Sequence, residues 1–121
     1  MRNFRDHIIA LNSTIKNALI KLNDLGKDAI LFVIDDNDIL IGSLTDGDVR
    51  RGLLKGITIN HEVNTIIQSD PRFIRKGDRD IEKVIEYREG NYRILPVLDK
   101  ENKVVNVINF RETRSYLPVD A

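Results

Sequence analysis

A shift of 64 positions lays the second half of this chain on the first. Gly26 falls on Gly90, Ile30 on Ile94, Leu31 on Leu95, Val33 on Val97 and Asp35 on Asp99. Further on, Ile41 falls on Val105, Thr45 on Asn109, Asp48 on Glu112, Arg50 on Arg114 and Leu53 on Leu117. No gap is needed from Gly26 onward, while the preceding helical stretches match at an offset of 66, Ile15 on Ile81. Such self-similarity marks two copies of one supersecondary unit. Each copy has too few elements to bury a core well alone, so the expected solution is two units packed face to face about a pseudo-two-fold axis.

The periodicities say what one unit contains. In "LNSTIKNALIKLNDLG", Ile15, Ala18, Leu19, Leu22 and Leu25 recur at helical spacing, with Asn12 or Ser13 as the expected N-cap and Gly26 as the stop. "AILFVIDD" is a continuous apolar run of strand length, the pattern of a strand buried on both faces. The turn "DDND" and the strand "ILIGSLT" complete a hairpin, and "DGDVRRGLLKG" reads as a short helix. The second half repeats the order: a helix in "DRDIEKVIEYREG", the strands "RILPVLDK" and "VVNVINF", then a helical start in "RETRSYL" limited by Pro118. The first repeat is read as residues 1–58, the connecting segment as 59–68 and the second repeat as 69–121. Val63, Ile66 and Ile67 point to a short helix in the connecting segment.

Composition removes several function classes. Lys and Arg number 19, as do Asp and Glu, so nothing in the overall charge favours DNA, RNA or an anionic membrane as a partner. The absence of cysteine excludes disulfides, thiolate metal sites and a cysteine nucleophile. No apolar run approaches membrane-spanning length and no signal-peptide pattern opens the chain, so a cytoplasmic protein is expected. His7 and His61 lack ligand-spaced partners, the serines lie in no nucleophile elbow, and the Gly-Lys of "DLGKD" lacks P-loop spacing. The chain is therefore read as having no catalytic residues and no metal site.

The repeat, its element order and the residues "ILFVIDDNDILIGSLTDGDVRRGLL" and "RILPVLDKENKVVNVINFRETRSYL" together resemble the CBS-domain pair, or Bateman module. The resemblance runs from about His7 to Leu117. It implies an α/β (α+β) fold of two tandem β-α-β-β-α repeats related by a pseudo-two-fold axis. It also implies a regulatory module that requires no cofactor, binds an adenosine nucleotide such as AMP, ADP or ATP, or a related ligand, and modulates an attached catalytic domain, commonly as a homodimer. The "TDGDVRRGLLKG" ending is similar to pairs joined to sugar-phosphate enzymes, with a sugar-phosphate nucleotidyltransferase expected first and a sugar-phosphate isomerase second. Val119, Asp120 and Ala121 look like the start of a further strand, as if a longer protein continued there.

By this resemblance Thr45 and Asp48 are the ribose-and-phosphate residues of the first seam. A carboxylate accepts from both ribose hydroxyls, a helix start offers N–H groups to phosphate, and Gly42 admits a close approach to the strand. Asp46 lies between them, Arg50 and Arg51 add charge-assisted bonds, and Ile8, Ile9 and Ile30 line the base pocket. Phe73, Ile74, Tyr92, Ile94, Asn109 and Glu112 form the corresponding second site. That site is read as degenerate, because Asn106, Asn109 and Glu112 replace the glycine, threonine and aspartate. Thr45-x-x-Asp48 has an equally sound structural reading as a capping box. A ligand-free pair serving as a dimerisation or docking platform is the alternative function. The run Arg72, Arg75, Lys76 and Arg79 is read as a solvated face or an interface.

Overall fold

In a computed structural model of the chain, residues 3–77 and 93–110 are described. The expected helices "DRDIEKVIEYREG" and "RETRSYL", and the candidates Tyr92, Glu112 and Arg79, lie outside those residues. Among the described residues, six strands form two sheets: β1 (Ile8–Ala10), β2 (Ile30–Ile34) and β3 (Leu40–Thr45) in one, β4 (Ile74–Arg75), β5 (Ile94–Leu98) and β6 (Val104–Asn109) in the other. Each sheet has a parallel pair followed by an antiparallel hairpin. The mixed α+β architecture with two small sheets is the fold class expected.

The registers repeat as the sequence does. Ile30 pairs with Thr45 and Ile94 with Asn109; Val33 pairs with Gly42 and Val97 with Asn106. Both hairpins shift register at the same place, between Val33 and Ile34 and between Val97 and Leu98. Asp35 accepts from the N–H groups of Asn37 and Ile39 at 2.8 and 3.0 Å, and Asp99 from those of Glu101 and Lys103 at the same distances. Asp38 and Asn102 take left-handed backbone at φ 65° and 69°, a conformation these two residue types tolerate.

The two turns bind each other reciprocally. Leu40 N–H donates to Asn102 O at 3.2 Å and Val104 N–H donates to Asp38 O at 3.1 Å, with Ile39 bridged to Lys103. Each bond is the other shifted by the repeat, so the pseudo-two-fold axis passes between the turns. β2 is apolar throughout because it faces two cores. Leu31 and Val33 pack under α1 (Ile15–Leu25), while Phe32 faces Ile94 and Val107 across the repeat interface.

Helix α1 is capped by Thr14, whose hydroxyl accepts from Asn17 N–H at 3.2 Å, rather than by Ser13 or Asn12. Tertiary pairing decides between the three polar residues: Thr14 is bridged to Glu62, and Val63 N–H donates to Ser13 O at 2.8 Å. Gly26 ends the helix with φ 61°, as its position suggests. The short helix expected in the connecting segment is a single 3₁₀ turn, Val63–Thr65, with Ile66 and Ile67 beyond it. Val63 is buried in the first core, and the chain then extends along β3, where Ser43 and Gln68 exchange both backbone hydrogen bonds at 2.9 Å. The connecting segment thus completes the first repeat.

Candidate functional site

The first seam lies where β3 ends and α2 (Asp46–Leu54) begins. Thr45 is the N-cap with extended backbone, and its hydroxyl receives Asp48 N–H at 3.4 Å. Asp48 Oδ2 in turn accepts from Thr45 N–H at 2.9 Å and from the Thr45 hydroxyl at 3.1 Å. The capping box is therefore complete. The other oxygen, Oδ1, accepts from Arg51 Nη2 at 2.8 Å and from Gln68 Nε2 at 3.0 Å. Asp48 is 5% exposed, so its charge is compensated by four donors rather than by water.

Gly42 is buried beside this arrangement. A Cβ there would lie 2.7 Å from Gln68 O and 3.0 Å from Ile67 Cδ1. The close approach expected of a ligand is made by the chain's own connecting segment, and the glycine is needed for that reason. Gly52 has the same role one turn into α2, where a Cβ would lie 2.7 Å from Ile66 Cγ2.

The remaining candidates separate. Thr45 and Ile30 line a cleft of about 310 Å³ between the repeats, together with Lys27, Asp28, Arg93 and Ile94. Asp48 and Arg51 line a different depression, of about 340 Å³, beneath Ile66, Ile67 and Gln68. Asp46 is exposed in the first turn of α2 and borders the surface of α1, and Arg50 is exposed. Arg51 turns its guanidinium to Asp48. Ile8 and Ile30 pack in the inter-repeat cluster, and Ile9 is buried in the first core.

In the second repeat, Ile74 is a core residue and Ile94 reaches both the inter-repeat cluster and its cleft. Phe73 is half-buried under the Arg75 guanidinium, 5.1 Å from its ring centre. Arg75 also donates to Asp99 O at 2.7 Å and Asn102 Oδ1 at 3.0 Å, so this member of the basic run clamps the second turn. Asn109 is half-buried opposite Ile94. Asn106, at the place of Gly42, accepts Val107 N–H on its own Oδ1 at 2.8 Å.

Two site residues escaped the sequence reading. Gln68 follows two isoleucines that read as packing, and no local signal ties it to Asp48. Arg93 had a signal: a charged residue directly before a buried strand, where the first repeat has Ala29. Its Nη2 lies 3.4 Å from Lys27 O, bridging the repeats.

His7 is buried with Nδ1 2.9 Å from Ile30 O, and His61 Nδ1 accepts Thr58 N–H at 2.9 Å. Among the described residues no cluster of His, Cys, Asp or Glu is arranged to hold a metal, and no helix is long and apolar enough to cross a membrane. Asp99 ionises below its ordinary value, chiefly because Lys103 N–H bonds its carboxylate; desolvation opposes this and Glu101 N–H adds to it.

Residues 5–55 match the family model of the CBS domain. An uncharacterized protein of Helicobacter pylori strain J99 is 32% identical over 106 residues, covering 87% of this chain and 32% of that protein. The arabinose 5-phosphate isomerase GutQ of Escherichia coli O6:H1 is 29% identical over 104 residues, covering 86% of this chain and 32% of the relative. The chain spans about a third of the length of the curated relatives it matches. Among solved structures, the CBS domains of a transcriptional regulator from Streptococcus pneumoniae align with TM-score 0.73 at 13% identity, over 91% of this chain and 88% of that one. A CBS domain protein from Pyrobaculum aerophilum complexed with AMP aligns with TM-score 0.69 at 16% identity, over 92% and 83%. CBSX2 in complex with AMP aligns with TM-score 0.70 at 23% identity, over 95% and 90%. Residues 5–55 thus match the CBS-domain model, and the fold is one shared with CBS-domain structures.

Proposed function

We propose that this chain is a non-catalytic regulatory module that binds an adenosine nucleotide or related ligand at its first seam and modulates an attached sugar-phosphate enzyme. The observation that carries the proposal is the inter-repeat cleft, in which Thr45 and Ile30 of one repeat meet Arg93 and Ile94 of the other. Its volume is at the lower end of small-molecule sites, about 300–1,000 Å³. A phosphate has a cation in Arg93 and a helix start at Thr45. Asp48 lines the second depression rather than this cleft, so its Oδ1 serves ribose hydroxyls in a ligand that reaches past Thr45 and displaces Gln68 and Arg51. The AMP complexes of two structural neighbours support the ligand class.

Because the cleft is built from both repeats, a ligand that prefers one arrangement of them shifts their balance by its differential affinity. The isomerase relatives support a sugar-phosphate isomerase as the attached domain; the "TDGDVRRGLLKG" ending keeps a nucleotidyltransferase as second choice. Exposed Ile20, Leu53 and Leu54 suit a homodimer contact.

A thermal-shift series with AMP, ADP, ATP and nucleotide sugars tests the reading. A specific ligand at 100 times its Kd stabilises by about 2.7 kcal/mol. No shift with any of these at millimolar concentration would leave the second reading, a ligand-free docking platform, which the fully bonded state of Asp48 favours.

A further inference from the structure

The Asp48 carboxylate divides its work. Oδ2 completes the capping box, whereas Oδ1 takes two donors the cap does not need, Arg51 Nη2 and Gln68 Nε2. Gln68 arrives from outside the helix. Its backbone is fixed by the reciprocal bonds with Ser43 and by the seat of its carbonyl against Gly42, while its residue surface is exposed. A fixed backbone thus delivers an exposed residue whose amide reaches Asp48 Oδ1. Immediately beyond it, Ser69 to Phe73 lead into β4, the first strand of the second sheet. The second seam is built otherwise, since Asn106 satisfies the Val107 N–H that corresponds to the Ser43 N–H bonded by Gln68 O.

We propose that Gln68 is a latch on the first seam: its amide occupies Asp48 Oδ1 in the ligand-free protein, and a ligand that uses this carboxylate must displace it. The inference rests on the nucleotide reading of the same seam and adds its regulation. The latch competes with ligand, so apparent affinity is lowered by the fraction of molecules in the latched state. One hydrogen bond from an exposed amide to a buried carboxylate that keeps its three other donors sets that factor at roughly three- to tenfold.

Isothermal titration of the intact chain with AMP and with ATP tests the proposal, using wild type, Gln68→Met and Gln68→Ala. Methionine keeps the stem and removes the amide; alanine guards against the longer side chain blocking the seam. Both variants are expected to bind roughly three- to tenfold more tightly than wild type. Structural damage would weaken binding, so the direction separates a latch from a prop, and binding detected only in the variants supports it too. Equal or weaker affinity in both variants, with wild-type binding intact, overturns the latch and leaves the nucleotide reading standing. No binding of either nucleotide by any of the three proteins overturns both.

Discussion

Gly42→Ala distinguishes a glycine kept for a ligand from one kept for the chain itself. The new Cβ would sit 2.7 Å from Gln68 O, a backbone atom, and 3.0 Å from Ile67 Cδ1. The isoleucine can turn away; the carbonyl cannot without disturbing its bond from Ser43 N–H. Overpacking of this kind costs about 1–3 kcal/mol, and a weakened bridge adds about 1 kcal/mol. The lower entropy of the unfolded alanine chain returns roughly 0.5–1 kcal/mol. The expected net loss is about 1–3 kcal/mol in ligand-free protein. Urea unfolding reads this as a midpoint lower by about 1 M with an unchanged slope. Gly47→Ala is the matched control. Its Cβ meets only the mobile end of Arg51, at 3.1 Å, and alanine favours the helix by up to about 1 kcal/mol, so stability should hold or rise. If Gly42→Ala is as stable as wild type without ligand, the connecting segment does not seat on β3 and the account of the seam fails.

Two further predictions concern the frame around the site. Phe32→Ala removes the largest fully buried side chain among the described residues, at the repeat interface and 1% exposed, and should cost about 3–5 kcal/mol by urea titration; a loss below about 1 kcal/mol would mean the repeats do not share a core there. Asp99 has a folded pKa below its ordinary 3.8, so its ionisation stabilises the fold above that pH, and this contribution is lost as pH falls through the lowered value. Asp99→Asn should therefore be less stable than wild type at pH 7, with the gap narrowing toward pH 2; a gap independent of pH would refute the role given to the carboxylate.

What the sequence made legible was whatever repeats or stays local. The 64-residue offset anticipated the paired registers, and Asp35 and Asp99 marked turns that use the same bonds. Thr45 and Asp48 announced a capping box because its partners lie three residues apart. Illegible was everything the connecting segment does on returning to β3. Gln68 meets Asp48 across 20 residues, and that pairing depends on Val63 anchoring in the first core. The same tertiary pairing selects Thr14 over its neighbours as a cap, while the short helix expected beside it is one 3₁₀ turn. Gly42 was visible as a site of close approach, but its neighbour there is Gln68.

The axis and the seams diverge for a physical reason. At the axis each turn meets its own counterpart, so a change in one backbone disturbs two bonds, Leu40 to Asn102 and Val104 to Asp38. Among the described residues the seams show no such reciprocal bonds, and each copy satisfies its groups separately. The clearest case is one N–H. On β3 the Ser43 N–H is taken by Gln68 O, an arrangement that requires the missing Cβ of Gly42. On β6 the corresponding Val107 N–H is taken by the side chain of Asn106, which stands where Gly42 would be. An asparagine at that position carries the Cβ that Gly42 lacks and supplies from its own side chain the acceptor that Gln68 O supplies on β3. The two copies therefore meet the same backbone need by different means, a returning segment on β3 and a side chain on β6.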